Sequence, residues 1–190
     1  MQARTLRRAI LPITLLMLIP LFIYACVPQR ITDLQLAHAS RLPASALPRG
    51  DDLRDTLVAH RESVWKLTFS ASAGWVGQVR QHELNSYFIV VRCDRPDDSL
   101  LGLGPYVGPI KIAAYGQGFE GFRPESSTLL YDLYLPETGQ YSSKRDPNAP
   151  RPSYDLGRQR LTLCISIAGG SMMGAYARSN EVRVTINPNG

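Results

Sequence analysis

The sequence predicts an all-β fold, a small antiparallel β-sandwich of about six or seven strands. Three observations predict it. Apolar residues recur with period two over short segments, Gly, Pro, Asn and Asp break the chain between those segments, and helical periodicity is nearly absent. The strand stripes run in order. Trp65, Leu67 and Phe69 alternate with Lys66, Thr68 and Ser70. Tyr87, Ile89, Val91 and Cys93 follow, then Ile110, Ile112 and Ala114, then Leu129, Tyr131, Leu133 and Leu135. Leu161, Leu163, Ile165 and Ile167 form the clearest stripe, and Val182, Val184 and Ile186 close the chain. Short half-buried strands in this number, with little helix, suggest two packed sheets. One helix is expected, capped by Asp51 or Asp52 and running to about His60, with Leu53, Leu57 and Val58 on one side.

The N-terminus reads differently. Arg4, Arg7 and Arg8 precede an apolar run from Ala9 to Val27 that ends in Ile23-Tyr24-Ala25-Cys26. A positive start, an apolar centre and small residues at its end define a secretory signal. The final tetrapeptide resembles a bacterial lipobox, which implies cleavage before Cys26 and lipid on its sulfur and amine. The division is then a signal peptide over 1–25, a lipidated Cys and tether over 26–50, and a β-sandwich domain over 51–190. The tether reading rests on Pro28, Pro43 and Pro48 among small residues. Val27 is not an acidic retention signal, so the expected address is the periplasm, on the inner leaflet of the outer membrane. The alternative is an uncleaved inner-membrane signal anchor, because the 19 residues from Ala9 to Val27, broken only by Pro12, Thr14 and Pro20, can span a bilayer core of about 30 Å.

Composition narrows the function. The chain has 190 residues, 44% hydrophobic and 19% charged, enough apolar material for a core. The formal charge is +5, but without the leader's three arginines 18 basic residues face 16 acidic ones. No basic stripe appears, which argues against nucleic acid as a partner. If Cys26 carries lipid, Cys93 and Cys164 remain as an even pair in an oxidising compartment, and a disulfide closing roughly 70 residues is expected. Its weak point is parity, since Cys164 points away from Leu163 and Ile165 unless a bulge intervenes or both faces are covered. His38, His60 and His82 are dispersed, and nothing has zinc-ligand spacing. No metal, cofactor or catalytic set is expected.

Three tempting motifs fail on context. Leu135-Pro136-Glu137-Thr138-Gly139 matches a sortase pentapeptide, but 51 residues follow with neither an apolar stretch nor a basic tail. Gly116 to Gly121 matches G-x-G-x-x-G, but Pro124 and the next strand leave no helix to hold a pyrophosphate. Gly169-Gly170-Ser171-Met172-Met173-Gly174 misses a nucleophile elbow by one residue.

Residues 94–109, 136–153 and 169–174 are expected to be long loops, which in small domains are commonly functional. Trp75, Phe119, Phe122, Tyr141, Met172, Met173 and Tyr176 lie outside the clean stripes. Aromatics and Arg dominate interface hot spots, and Met adapts to irregular surfaces. Together with Arg123, Arg145 and Arg151 they are the candidates for a protein-binding surface.

A Cys at a lipobox followed by Pro28-Gln29-Arg30, then Tyr115-Gly116, a strand over Leu129 to Leu133 and a late Leu163-Cys164-Ile165, resembles the type VI secretion immunity periplasmic lipoproteins. That resemblance implies a non-catalytic protein that binds a secreted antibacterial toxin and neutralises it by occlusion. The alternative is a structural or assembly lipoprotein of an envelope secretion or pilus machine.

Overall fold

The computed structural model describes residues 31–49, 53–116, 118–143 and 152–188. The leader, Cys26 and the first residues after it lie outside these. In chain order the elements are β1 (Gln35–Pro43), a 3-10 turn (Ala44–Ala46), α1 (Arg54–Ala59), β2 (Ser63–Ser72), α2 (Gly74–Gln81) and β3 (Asn85–Arg92). Then come β4 (Asp98–Ser99), β5 (Leu103–Val107), β6 (Ile110–Lys111), β7 (Thr128–Pro136), β8 (Thr138–Gln140) and β9 (Ser142–Ser143). The last are β10 (Ser153–Asp155), β11 (Leu161–Gly170), β12 (Tyr176–Arg178) and β13 (Val182–Ile186).

The fold is an all-β sandwich of antiparallel sheets. One sheet has the order β1-β2-β7-β5-β6. The other has the order β12-β11-β3-β4-β9, with β13 also paired to β11. A two-stranded β10-β8 ribbon stands beside them.

Period-two alternation sends one face of each long strand inward. Trp65, Leu67 and Phe69 of β2 lie opposite Leu135, Leu133 and Tyr131 of β7. They share one core with Phe88 and Val90 of β3, Leu163, Ile165 and Ile167 of β11, and Val184 and Ile186 of β13. Phe69 and Phe88 meet across the two sheets with ring centroids 5.5 Å apart.

On β3 the structure reverses the expected face. Phe88 and Val90 enter the core, while Tyr87, Ile89, Val91 and Cys93 point outward. This resolves the parity conflict, because Cys164 is also on the outward face, opposite Val91. The Cys93–Cys164 disulfide is formed, with Cα atoms 5.1 Å apart.

The tether expected over 26–50 is corrected for its described part, 31–49. Ile31 forms a parallel bridge with Ser179. The side chain of Asn180 donates to the carbonyl oxygen of Leu34 and accepts from its N–H, both at 2.9 Å. β1 pairs with β2 along its length. Ala44 and Leu47 then pack with Leu57 of α1, Val64, Leu103, Tyr106 and Tyr134 in a second cluster. Val64 and Tyr134 belong to the parity opposite the main core, so this segment covers the outer face of the first sheet. Of the prolines read as a tether, Pro43 and Pro48 are compatible with the end of an edge strand and a turn, and Pro28 lies outside the described residues.

A helix was also missed. α2 closes one end of the sandwich with Trp75, Val76 and Val79 buried. These form a one-turn helical stripe, but Gly74 and Gly77 read locally as turn punctuation. The side chain that Gly169 lacks would sit 3.0 Å from Leu84 Cβ and 3.4 Å from Trp75, so glycine there allows the helix end to close on β11.

Candidate partner-binding surface

Two open clefts flank the β5–β6 turn. Val107-Gly108-Pro109-Ile110 turns β5 into β6, with Gly108 at φ +57°. β6 is the edge strand of its sheet and sits between two open clefts. The first, about 710 Å³, is lined by Arg49, Tyr106, Ile110, Lys111 and Tyr115 among others. The second, about 560 Å³, is lined by residues including Val107, Ile110, Phe122, Arg123, Glu125 and Leu129. They share Ile110 and Gly118, so they adjoin along the edge strand, and together they form the β6 groove region. Tyr115 is 80% exposed on its rim.

Two arginines set the shape of the wall. Arg80, on α2, stacks over the Phe119 ring at 5.1 Å. It donates to the carbonyl oxygens of Phe119 and Phe122. Arg123 donates to the carbonyl oxygens of Glu120, at 2.9 Å, and of Phe122, at 3.0 Å. Burial, and then the nearby Arg123 charge, push the Arg80 guanidinium below its ordinary pKa. The turn is therefore held by charge-assisted bonds to its carbonyls rather than by a helix. Gly116 to Gly121 thus belongs to a turn that leads to β7, as its context required; Gln117 lies outside the described residues.

A second exposed group lies on the other sheet. Met172 and Met173 are 97% and 93% exposed at the tip of the β11–β12 hairpin. Tyr176 is exposed on β12. Tyr87 and Arg178 both lie opposite Ala168 on the same outward face. Arg178 donates to Ser166 Oγ at 3.0 Å. Partial burial and the neighbouring Tyr176 raise the Tyr87 pKa, with Arg178 opposing.

The sequence candidates therefore divide. Phe122 and Arg123 line the β6 groove, and Met172, Met173 and Tyr176 form the hairpin patch. Trp75, Phe119 and Tyr141 are corrected: they are only 1%, 2% and 3% exposed and cannot offer surface. Trp75 plugs the end of the core and donates its indole N–H to Ser86 Oγ at 2.8 Å. Phe119 is roofed by Arg80. Tyr141 packs on Tyr154, with centroids 5.2 Å apart, under the Arg92 guanidinium. Arg145, Arg151 and Cys26 lie outside the described residues. Sequence reasoning missed Tyr106, Tyr115 and Lys111: Tyr106 lies on β5, inside the stretch 94–109 expected to be a loop, while Lys111 lies within, and Tyr115 just after, the stretch expected to be one strand through Ile112 and Ala114. β6 instead stops at Lys111: the Ile112 N–H still meets the Pro105 carbonyl at 2.8 Å, in register with the Tyr106–Lys111 and Val107–Ile110 pairs, but Pro105 has no N–H to return a bond and the ladder ends there.

Among the described residues no three His, Cys, Asp or Glu side chains gather as a metal site. Ser171 is part of a hairpin turn, where its hydroxyl accepts from the Ala175 N–H at 3.1 Å. Comparison of the chain with protein-family models, with curated proteins and with solved structures gives no match.

Proposed function

We propose that this chain is a periplasmic lipoprotein, held to the outer membrane through Cys26, that binds a secreted antibacterial toxin and neutralises it without turnover. The observation that carries the reading is the β6 groove. It is open, walled by a turn whose carbonyls are fixed by Arg80 and Arg123, and rimmed by Tyr115, Phe122 and Lys111. Aromatic and cationic side chains on a rigid scaffold are what a protein hot spot uses, because they bury much area at low entropic cost. The Cys93–Cys164 bond supports an address outside the cytoplasm, where disulfides persist.

The test is a growth competition. A deletion strain is mixed with its parent, once with secretion active and once with secretion blocked. The reading expects death of the mutant only beside a secreting parent, and rescue by the intact gene. Tyr115→Asp with Arg123→Glu should abolish rescue while the protein level stays unchanged. Equal survival of the mutant in both mixtures would remove the immunity role and favour an envelope-assembly role. Full rescue by the groove variant would remove the groove as the docking surface.

A further inference from the structure

The β11–β12 hairpin carries two methionines for which the fold has no use. Its loop is closed by Ser171 N–H to the Ala175 carbonyl at 2.9 Å and by Gly174 N–H to the Ser171 carbonyl at 3.1 Å. Gly174, at φ +84°, supplies the left-handed residue that such a three-residue loop needs. Positions 172 and 173 carry no such demand and are normally polar in a turn. Here both are Met and almost wholly in solvent, with Tyr176 beside them at the start of β12. Met172, Met173 and Tyr176 bury little area within the fold and make a contiguous apolar tip that is open to a surface outside the domain.

The point where the chain enters the domain says which surface. Ile31 is bridged to Ser179, the residue after β12. Only four residues, 27–30, separate it from Cys26. Five residue steps reach at most about 18 Å, well short of the roughly 40 Å diameter of a domain of this size. From Ser179 back to Met173 is six residues, about 20 Å of strand. Because the bridge is parallel, Ile31 runs in the direction of β12, away from the hairpin tip, so its N-terminal side faces that tip; a lipid on Cys26 would hold this side of the domain against the bilayer. The β6 groove lies at the opposite edge of the first sheet from β1, where the chain enters.

We propose that the Met172–Met173 turn, with Tyr176, seats in the headgroup region of the phospholipid bilayer that carries the lipid on Cys26. The proposal rests on the lipid-anchor reading above. A lipid chain holds the domain close and a short apolar tip then fixes its orientation, with Tyr at the interface where its ring and hydroxyl are both accommodated. The groove would face away from the membrane, toward incoming protein.

The test uses the full chain, expressed in a bacterial host and reconstituted in phosphatidylethanolamine–phosphatidylglycerol vesicles that contain brominated phosphatidylcholine. Met172→Trp places an indole at the tip, and Val58→Trp, on α1 at the far end of β1, is the control. The native Trp65 and Trp75 are buried and give a constant background. Mass analysis of the N-terminal fragment reports lipid on Cys26 separately. The expected result is a lipid-modified protein whose emission is quenched at least twofold more strongly by bromolipid for the position-172 indole than for the position-58 indole. Equal quenching at both positions in lipid-modified protein overturns the proposal and leaves the anchor standing. An unmodified Cys26 removes the anchor reading and this proposal with it. If Met172→Ser with Met173→Ser loses protection in the growth competition while bromolipid leaves position 172 unquenched, the tip is a protein contact and the proposal is overturned.

Discussion

Cys93 and Cys164 are joined diagonally across the β3–β11 ladder, on the face of the sheet that points away from the core. Cys164 lies opposite Val91, and the Cys93 N–H donates to the Thr162 carbonyl at 3.0 Å, one step further along. The bond ties two strands already paired over eight residues, but it also removes freedom from the unfolded chain across a separation of 71 residues. Its loss, in Cys93→Ala with Cys164→Ala, should destabilise by about 2–4 kcal/mol in the chain-entropy view. Urea denaturation of the double variant, beside wild type with and without reductant, measures this. Coincident midpoints would mean that the ladder alone carries the stability of this sheet.

The same pair shows what the sequence could reveal. On β2, β7, β11 and β13 one face is apolar and the other mixed, so period two identified the inner face. On β3 both faces are apolar: Phe88 and Val90 alternate with Ile89 and Val91. Periodicity cannot choose between such faces, and only the tertiary structure decides. α2 was hidden by its glycines, and the segment over Gln35–Pro43 by Pro43 and its small residues. At the candidate surface, Met172 and Met173 were legible because apolar residues in a Gly-Ser turn are conspicuous. Trp75 and Phe119 misled because an aromatic outside a strand stripe was taken to be in a loop. In the fold they fill the end of the core, where neither period nor spacing reports burial.

Trp75 and Ser86 provide a second test. Both are buried, and the indole N–H has the Ser86 hydroxyl as its acceptor. Ser86→Ala would leave that donor without a partner, at a cost of about 1–3 kcal/mol. Trp75→Phe loses packing as well, but adding Ser86→Ala to it should cost much less than Ser86→Ala alone, since no donor is then stranded. A double-mutant cycle read by thermal melting checks this coupling. Additive effects would show that the bond does not contribute.

On the outer face of the first sheet, Asp132 is buried and accepts from Thr68 Oγ1 at 2.7 Å and from Lys66 Nζ at 2.9 Å. Burial works against the Lys66 ammonium, but the hydrogen bond and charge of Asp132 outweigh it and raise the Lys66 pKa. The two partners are not equivalent on removal. Lys66→Met strands a buried carboxylate, whereas Asp132→Asn keeps the bond from Thr68 and leaves an ammonium that can still reach water. Lys66→Met should therefore be the more destabilising, by about 1–3 kcal/mol against less than 1 kcal/mol at neutral pH. Equal losses in denaturant melts would refute the asymmetry.

Tyr154 links the β10–β8 ribbon to alkaline stability. Its ring is buried against Tyr141, and its hydroxyl lies where a Cβ on Gly139 would fall, at 2.6 Å, so that glycine makes room for the phenol. Burial, and then the nearby Tyr141 and Glu62, push the Tyr154 pKa up to about 12. The unfolded chain releases this proton near its ordinary value of about 10, while the folded chain still holds it. Between those values the folded state binds more protons, so stability falls as pH rises through the window. A separation of about two units corresponds to a loss of about 2–3 kcal/mol by pH 12. Tyr154→Phe has no proton to lose and should show a shallower decline from pH 10 to 12. It should not be flat, because burial also raises the Tyr131 pKa. Denaturant melts at half-unit intervals across this range check the difference. Parallel curves for wild type and Tyr154→Phe would show that the phenol is not held protonated by the fold.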